Sequence, residues 1–130
     1  MNPRKQGDVG VSAAIDYFTR NDYIVSFPMT EAADYDLIVD DGKHLYKVQV
    51  KTSTFRPRGE GTPFAVSLAT KGGNRSGQTV RFFTEKKVDF LFILTESNKK
   101  YLIPTDKIDN KGQINVGGKK EAYKEFLVGI

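Results

Sequence analysis

Tyr35-Asp36-Leu37-Ile38-Val39-Asp40-Asp41-Gly42-Lys43-His44-Leu45-Tyr46-Lys47-Val48-Gln49-Val50-Lys51-Thr52 is the stretch whose reading decides the fold. Two runs of β-branched and apolar residues flank a Gly-containing turn, Asp41-Gly42-Lys43, and this pattern predicts a β-hairpin over Asp36 to Ser53. Asp36 opens the first strand. On the second strand side chains alternate between faces, so Gln49 and Lys51 share one face and Val48 and Val50 the other. A hairpin whose core face is greasy and whose far face holds an acid, an amide and a lysine suits metal-assisted attack on a phosphodiester. The acid can hold a divalent cation, and the lysine can steady the attacking water and the charge that grows on phosphate.

The 130 residues fit one domain, spanning 1–130. Cysteine is absent, which excludes disulfide frameworks and thiolate metal sites. His44 is the only histidine, so no site built on several imidazoles is available, and a Ser-His-Asp triad would have to use a residue in a hairpin turn. The net charge of +4 suits a polyanionic partner. No apolar run approaches a membrane span, and Met1-Asn2-Pro3-Arg4-Lys5 is followed by no apolar segment of the kind a signal peptide needs. The expectation is a cytoplasmic protein with no membrane partner.

Outward from the hairpin, Val11, Ala14, Ile15 and Phe18 recur at helical spacing, predicting a helix from Gly7 to Asn21 with Asp8 as its early acid. Tyr23 to Met29 reads as a strand. Arg56 to Pro63 holds two prolines and two glycines and reads as a loop. Phe64 to Ala69 reads as a fourth strand, Lys71 to Gly77 as a basic glycine-rich loop, and Val80 to Lys87 as a short helix or an extended segment. Asp89 to Thr95 is almost wholly apolar and reads as a strand buried on both faces. Tyr101 to Pro104 pairs with it, and Thr105 to Ile108 forms a single helical turn. From Asn110 the tail reads as less regular, with Ala122 to Val128 a helix or a strand. The expected architecture is α/β, a mixed sheet with flanking helices in a single domain.

Asp36 followed by Gln49-Val50-Lys51 resembles the D…(D/E/Q)-x-K signature of the PD-(D/E)XK nuclease superfamily. Lys5 to Ala14, Tyr35-Asp36, Val48 to Thr52, Gly72 to Gly77 and Tyr101 to Pro104 together resemble its small group I intron-encoded homing endonucleases. The likeness covers most of the chain. It implies a restriction-endonuclease-like core and Mg²⁺-dependent hydrolysis of double-stranded DNA, with Mn²⁺ able to substitute. On that reading Asp36 is the principal metal ligand, Gln49 takes the second acidic position, the Val50 carbonyl ligates as well, and Lys51 orients or activates the water. Two departures stand out. Gln49 replaces an acid, removing one negative charge. Val11 stands where many superfamily members carry a helix glutamate, which leaves Asp8 as the candidate substitute. Arg56, Arg58, Lys71, Asn74 and Arg75 are the candidate DNA-binding residues, for phosphate or for base edges. Lys99-Lys100 and Lys119-Lys120 read as solubility charges. One small domain carries one active site, so cutting both strands calls for a homo-oligomer, a dimer or tetramer. Two other readings remain open: a Holliday-junction-resolvase-like enzyme that reads shape, and a catalytically inactive nuclease-fold module that binds nucleic acid.

Overall fold

The structure is a computed structural model and describes residues 1–68, 70–71, 80–81, 88–108 and 112–129. Helix α1 runs over Pro3–Arg20. It starts four residues earlier than its apolar spacing predicts, because Asn2 and Pro3 make a complete start signal: the Asn2 side chain accepts from Lys5 N–H at 2.9 Å and Pro3 needs no partner at the first helical position. Asp8 therefore lies within the helix rather than at its cap. Asp22, at φ 66°, ends it in the left-handed region.

Ten strands follow among the described residues: β1 (Ile24–Ser26), β2 (Leu37–Asp40), β3 (Leu45–Ser53), β4 (Phe64–Ser67), β5 (Thr70–Lys71), β6 (Val80–Arg81), β7 (Phe90–Thr95), β8 (Lys100–Pro104), β9 (Gln113–Val116) and β10 (Leu127–Gly129). Six of them form a mixed sheet in the order β1-β2-β3-β7-β8-β10. The β3–β7 pair is parallel and the other four pairings are antiparallel. The β2–β3 hairpin and the β7–β8 pair stand where the sequence places them. Val80 and Arg81 are extended and pair with β5, so Lys71 belongs to a strand pair rather than a loop, and the rest of both segments lies outside the described residues. Thr105–Lys107 is the single helical turn expected, and the ambiguous tail resolves into a 3-10 turn at Lys124–Phe126 followed by β10. The fourth strand, β4, does not join the main sheet. It pairs with β9, a strand in what the sequence presents as irregular tail.

Each face of the sheet carries its own core. Ala14 and Phe18 of α1 pack on Leu37, Val39, Val48 and Phe92. On the reverse face, Leu91, Ile93, Tyr101 and Ile103 meet Phe64, Val66, Ile114 and Val116 of the β4–β9 pair. The layers are thus helix, six-stranded sheet, two-stranded sheet; α1 is the only α-helix among the described residues, and the reverse face is covered by strands. No helix among the described residues is long and apolar enough to cross a membrane.

Gly10 is what lets α1 lie so close to β3. A Cβ there would collide with Thr52 Oγ1 and stand 3.3 Å from Val50 Cγ1, and that hydroxyl is already committed to the Gln6 carbonyl at 3.1 Å. Gly10→Ala is expected to lower unfolding stability by about 1–2 kcal/mol, because overpacking outweighs the gain in helix propensity. Denaturant titration checks this, and adding Thr52→Ala should restore most of the loss.

Candidate functional site

The parity of β3 decides which side chains meet. Val50 and Thr52 lie under α1, so Gln49, Lys51 and Ser53 point to the reverse face. Backbone groups alternate in the same way, sideways within the sheet. Lys47 takes its partners from the β7 side: its N–H donates to Asp89 Oδ2 at 2.8 Å and its C=O accepts from Asp89 N–H at 2.9 Å. Three residues on, the N–H and C=O of Val50 therefore face the β2 side. β2 begins only at Leu37, so the position beside Val50 is filled by a side chain. Asp36 Oδ2 accepts from Val50 N–H at 2.7 Å, while Asp36 N–H donates to the Val48 carbonyl at 2.9 Å. Those two bonds fix the acid against β3, with the Val50 carbonyl on the same edge.

Gln49 is only 8% exposed, and its Oε1 is buried with no hydrogen-bond partner among the described residues. An unmatched buried oxygen costs about 1–3 kcal/mol, so its presence calls for an explanation. Lys51 is half-buried on the same face. Burial pushes its ammonium below the ordinary lysine range, and the nearby Asp36 carboxylate partly opposes that shift. Gln49 and Lys51 thus share the reverse face, and the Asp36 carboxylate, fixed on Val50 N–H, is near enough for its charge to act on Lys51.

The remaining candidates scatter. Asp8 is exposed on α1, about 200° round the helix from Gly10, the residue that touches β3. Val11, at the position of the missing glutamate, packs into the helix-side core. Arg56 stacks its guanidinium 4.2 Å above the Phe64 ring, and Arg58 is exposed in the same loop. Lys71 is described only in its backbone, and Asn74 and Arg75 lie outside the described residues. Lys47 covers the Tyr35 ring at 5.4 Å. His44 is at the hairpin tip, the end opposite Asp36, where its N–H donates to Asp41 Oδ1 at 2.7 Å.

The donor set has a definite chemistry. Among the described residues no three of His, Cys, Asp or Glu gather. What gathers is one carboxylate, one amide oxygen and one backbone carbonyl, all hard oxygen donors of the kind Mg²⁺ accepts while retaining waters or taking substrate oxygens. The unpartnered Gln49 Oε1 fits such an ion.

The PD-(D/E)XK endonuclease family matches residues 1–124. The chain belongs to that family. Its members are divalent-metal-dependent nucleases, and an endonuclease hydrolase is the class the chain falls in. Among solved structures the chain is similar to a bacterial homing endonuclease, I-Ssp6803I, with a TM-score of 0.80 at 22% identity, over 98% of this chain and 89% of that one. That likeness shows the fold. No curated protein sequence matches significantly.

A lysine held in a desolvated place should weigh on folding. The unfolded chain binds the Lys51 proton more tightly than the folded one, so the folded state is penalised at neutral pH and relieved as pH climbs from the depressed folded value towards the free-lysine value. Lys51→Met is expected to unfold at a higher temperature than wild type at pH 7, with the gain shrinking as the pH is raised towards about 10. Calorimetry across that range measures it.

Proposed function

We propose that this PD-(D/E)XK protein is a Mg²⁺-dependent endonuclease of double-stranded DNA, acting in the cytoplasm as a homo-oligomer and cutting both strands at a specific site, as a homing endonuclease does. The observation that carries the reading is the convergence at the start of β2: Asp36 fixed on Val50 N–H at 2.7 Å, Gln49 Oε1 buried and unpartnered among the described residues, and Lys51 desolvated beside them. The family supports the hydrolytic chemistry, and the fold of the homing endonuclease supports the narrower assignment.

Asp36, Gln49 Oε1 and the Val50 carbonyl would hold the ion. When bound, it supplies Lewis-acid polarisation of the phosphodiester, with Mn²⁺ able to replace Mg²⁺. The chain's own residues do the rest. Asp36 keeps its second oxygen free of the bond to Val50 and so presents it forward. Lys51, disfavoured as an ammonium, is shifted towards the neutral form that can take a proton from water. In its charged form it sits where negative charge grows on the phosphate oxygens. The low polarity around Lys51 strengthens that attraction. Asp8 has no part in this set. Arg58, Lys71, Asn74 and Arg75 would contact the duplex outside it. One carboxylate gives weak metal affinity alone, so substrate phosphate would complete the shell.

Two experiments test the reading. Wild-type protein with Mg²⁺ is expected to make discrete double-strand cuts in plasmid or genomic DNA carrying its site, and Asp36→Ala and Lys51→Ala should each lose at least about 100-fold in rate. Nicks confined to four-way junctions would move the assignment to junction resolution, and DNA bound but never cut with Mg²⁺ or Mn²⁺ would leave a nuclease-fold binding module. Separately, Mn²⁺ titration followed by thermal midpoint should show Gln49→Glu binding tighter and Gln49→Leu weaker than wild type. Unchanged affinity in Gln49→Glu would remove Gln49 from the ligand set.

A further inference from the structure

A second cationic feature lies on the same sheet face as Lys51. A cavity of about 280 Å³ opens between the loop after β3, the β7–β8 turn and the turn after β9. Arg56, Lys99 and Lys119 line it, together with the hydroxyls of Thr62 and Ser97, and no carboxylate among the described residues does. Arg56 is the built part. The Phe64 ring at 4.2 Å fixes the guanidinium plane, and the Nε is buried with no hydrogen-bond partner among the described residues. A stacked, planar guanidinium is suited to a tetrahedral oxyanion through its terminal N–H groups, the Nε being shielded. The wall opposite is held in place by Gly118, which at φ 76° packs against Pro63 so closely that a Cβ would lie 2.7 Å from its ring. Glu121, which feels the charge of Lys99, is engaged by Lys124 at 3.0 Å, and Glu60 and Glu96 line the adjoining cavity on the other side of Arg56.

The cavity also has the right place. Thr95, on its lining, pairs with Ser53, and Lys51 pairs with Ile93, two residues back along the same two strands. Two residues of strand span about 7 Å. One DNA strand carries a charge for every 3.4 Å or so of helix axis, so a strand with one phosphate at Lys51 brings another, one or two positions along, to the mouth of the cavity.

We propose that this cavity is a phosphate subsite that grips a non-scissile phosphate of the strand being cut. The proposal rests on the nuclease reading above and extends it from the reacting group to how the strand is registered. Arg56 supplies the oriented N–H donors, and Lys99 and Lys119 supply neutralising charge. The contact positions the strand and reads no base.

Binding measured without metal tests this apart from cleavage. Duplex affinity as a function of salt is expected to lose up to about 0.9 from its log–log slope in Arg56→Gln and likewise in Lys119→Ala, since both cations meet the same phosphate, by the same factor on unrelated sequences. Arg56→Lys should recover the slope. The Mn²⁺-induced rise in thermal midpoint should be unchanged in all three. Lys119 is exposed, so its variant stays informative if loss of the Arg56–Phe64 stack destabilises the fold. Wild-type slopes in both variants would overturn the proposal, while Asp36→Ala still abolishing cleavage would leave the nuclease reading standing. A loss confined to one target sequence would also overturn it, in favour of base reading. So would inorganic phosphate moving the Arg56 Nε–H resonance while duplex DNA does not, since that marks a site for free phosphate. If wild type cuts nothing but the slopes fall as expected, the subsite stands and the nuclease reading fails.

Discussion

Alternation along β3 governs everything else in this domain. The strand is covered on both faces, and residues of even number from Val48 onward are claimed by α1 while those of odd number are claimed by the reverse face. A slip of one residue would drive Gln49 and Lys51 under the helix and turn Val48 and Val50 onto the site. Two devices hold the register. Gly10 seats α1 on Val50 and Thr52, where a larger residue would collide. Asp36 continues the ladder past the start of β2, using its carboxylate on Val50 N–H where a further strand residue would otherwise pair. The acid of the site is thus also the peg that fixes the strand bearing its partners.

The site does not favour the folded state. Gln49 keeps a buried oxygen without a partner among the described residues, and Lys51 keeps an ammonium where burial opposes it. Neither group is needed to cover the core, which the apolar residues of β7, β8 and the β4–β9 pair supply. Tension of this kind is what a site prepared for a cation and an anion should contain before they arrive.

The parts of this fold that were legible in the sequence are the local ones. The hairpin has a turn of Asp41-Gly42-Lys43 between two strand-like runs, and Gly42 takes the positive φ of 94° that such a turn asks for. The period-two rule then gives the shared face of Gln49 and Lys51 without any tertiary information. The helix start is written in Asn2-Pro3, whereas apolar spacing alone places it at Gly7. Gln113-Ile114-Asn115-Val116 alternates cleanly, yet the neighbouring Gly117-Gly118 made the segment read as irregular; its partner β4 is far away in the chain and no local signal announces the pairing. The same holds for the cavity. Arg56, Lys99 and Lys119 come from three separate loops, and only the reverse-face layer brings them together. Read singly, two of them belong to Lys-Lys pairs that look like surface charge.

The parallel pairing of β3 with β7 has a consequence for when the chemistry comes into being. The bond between Lys47 and Asp89 at its near end spans 42 residues, whereas the one between Asp36 and Val50 spans 14. Closing the longer loop costs more chain entropy before any contact rewards it. The Asp36–Val50 bond closes within residues 36–50, whereas β7, which flanks Lys51, is supplied by residues beyond Asp89. The setting of Lys51 therefore belongs to the whole domain, built from strands far apart in the chain.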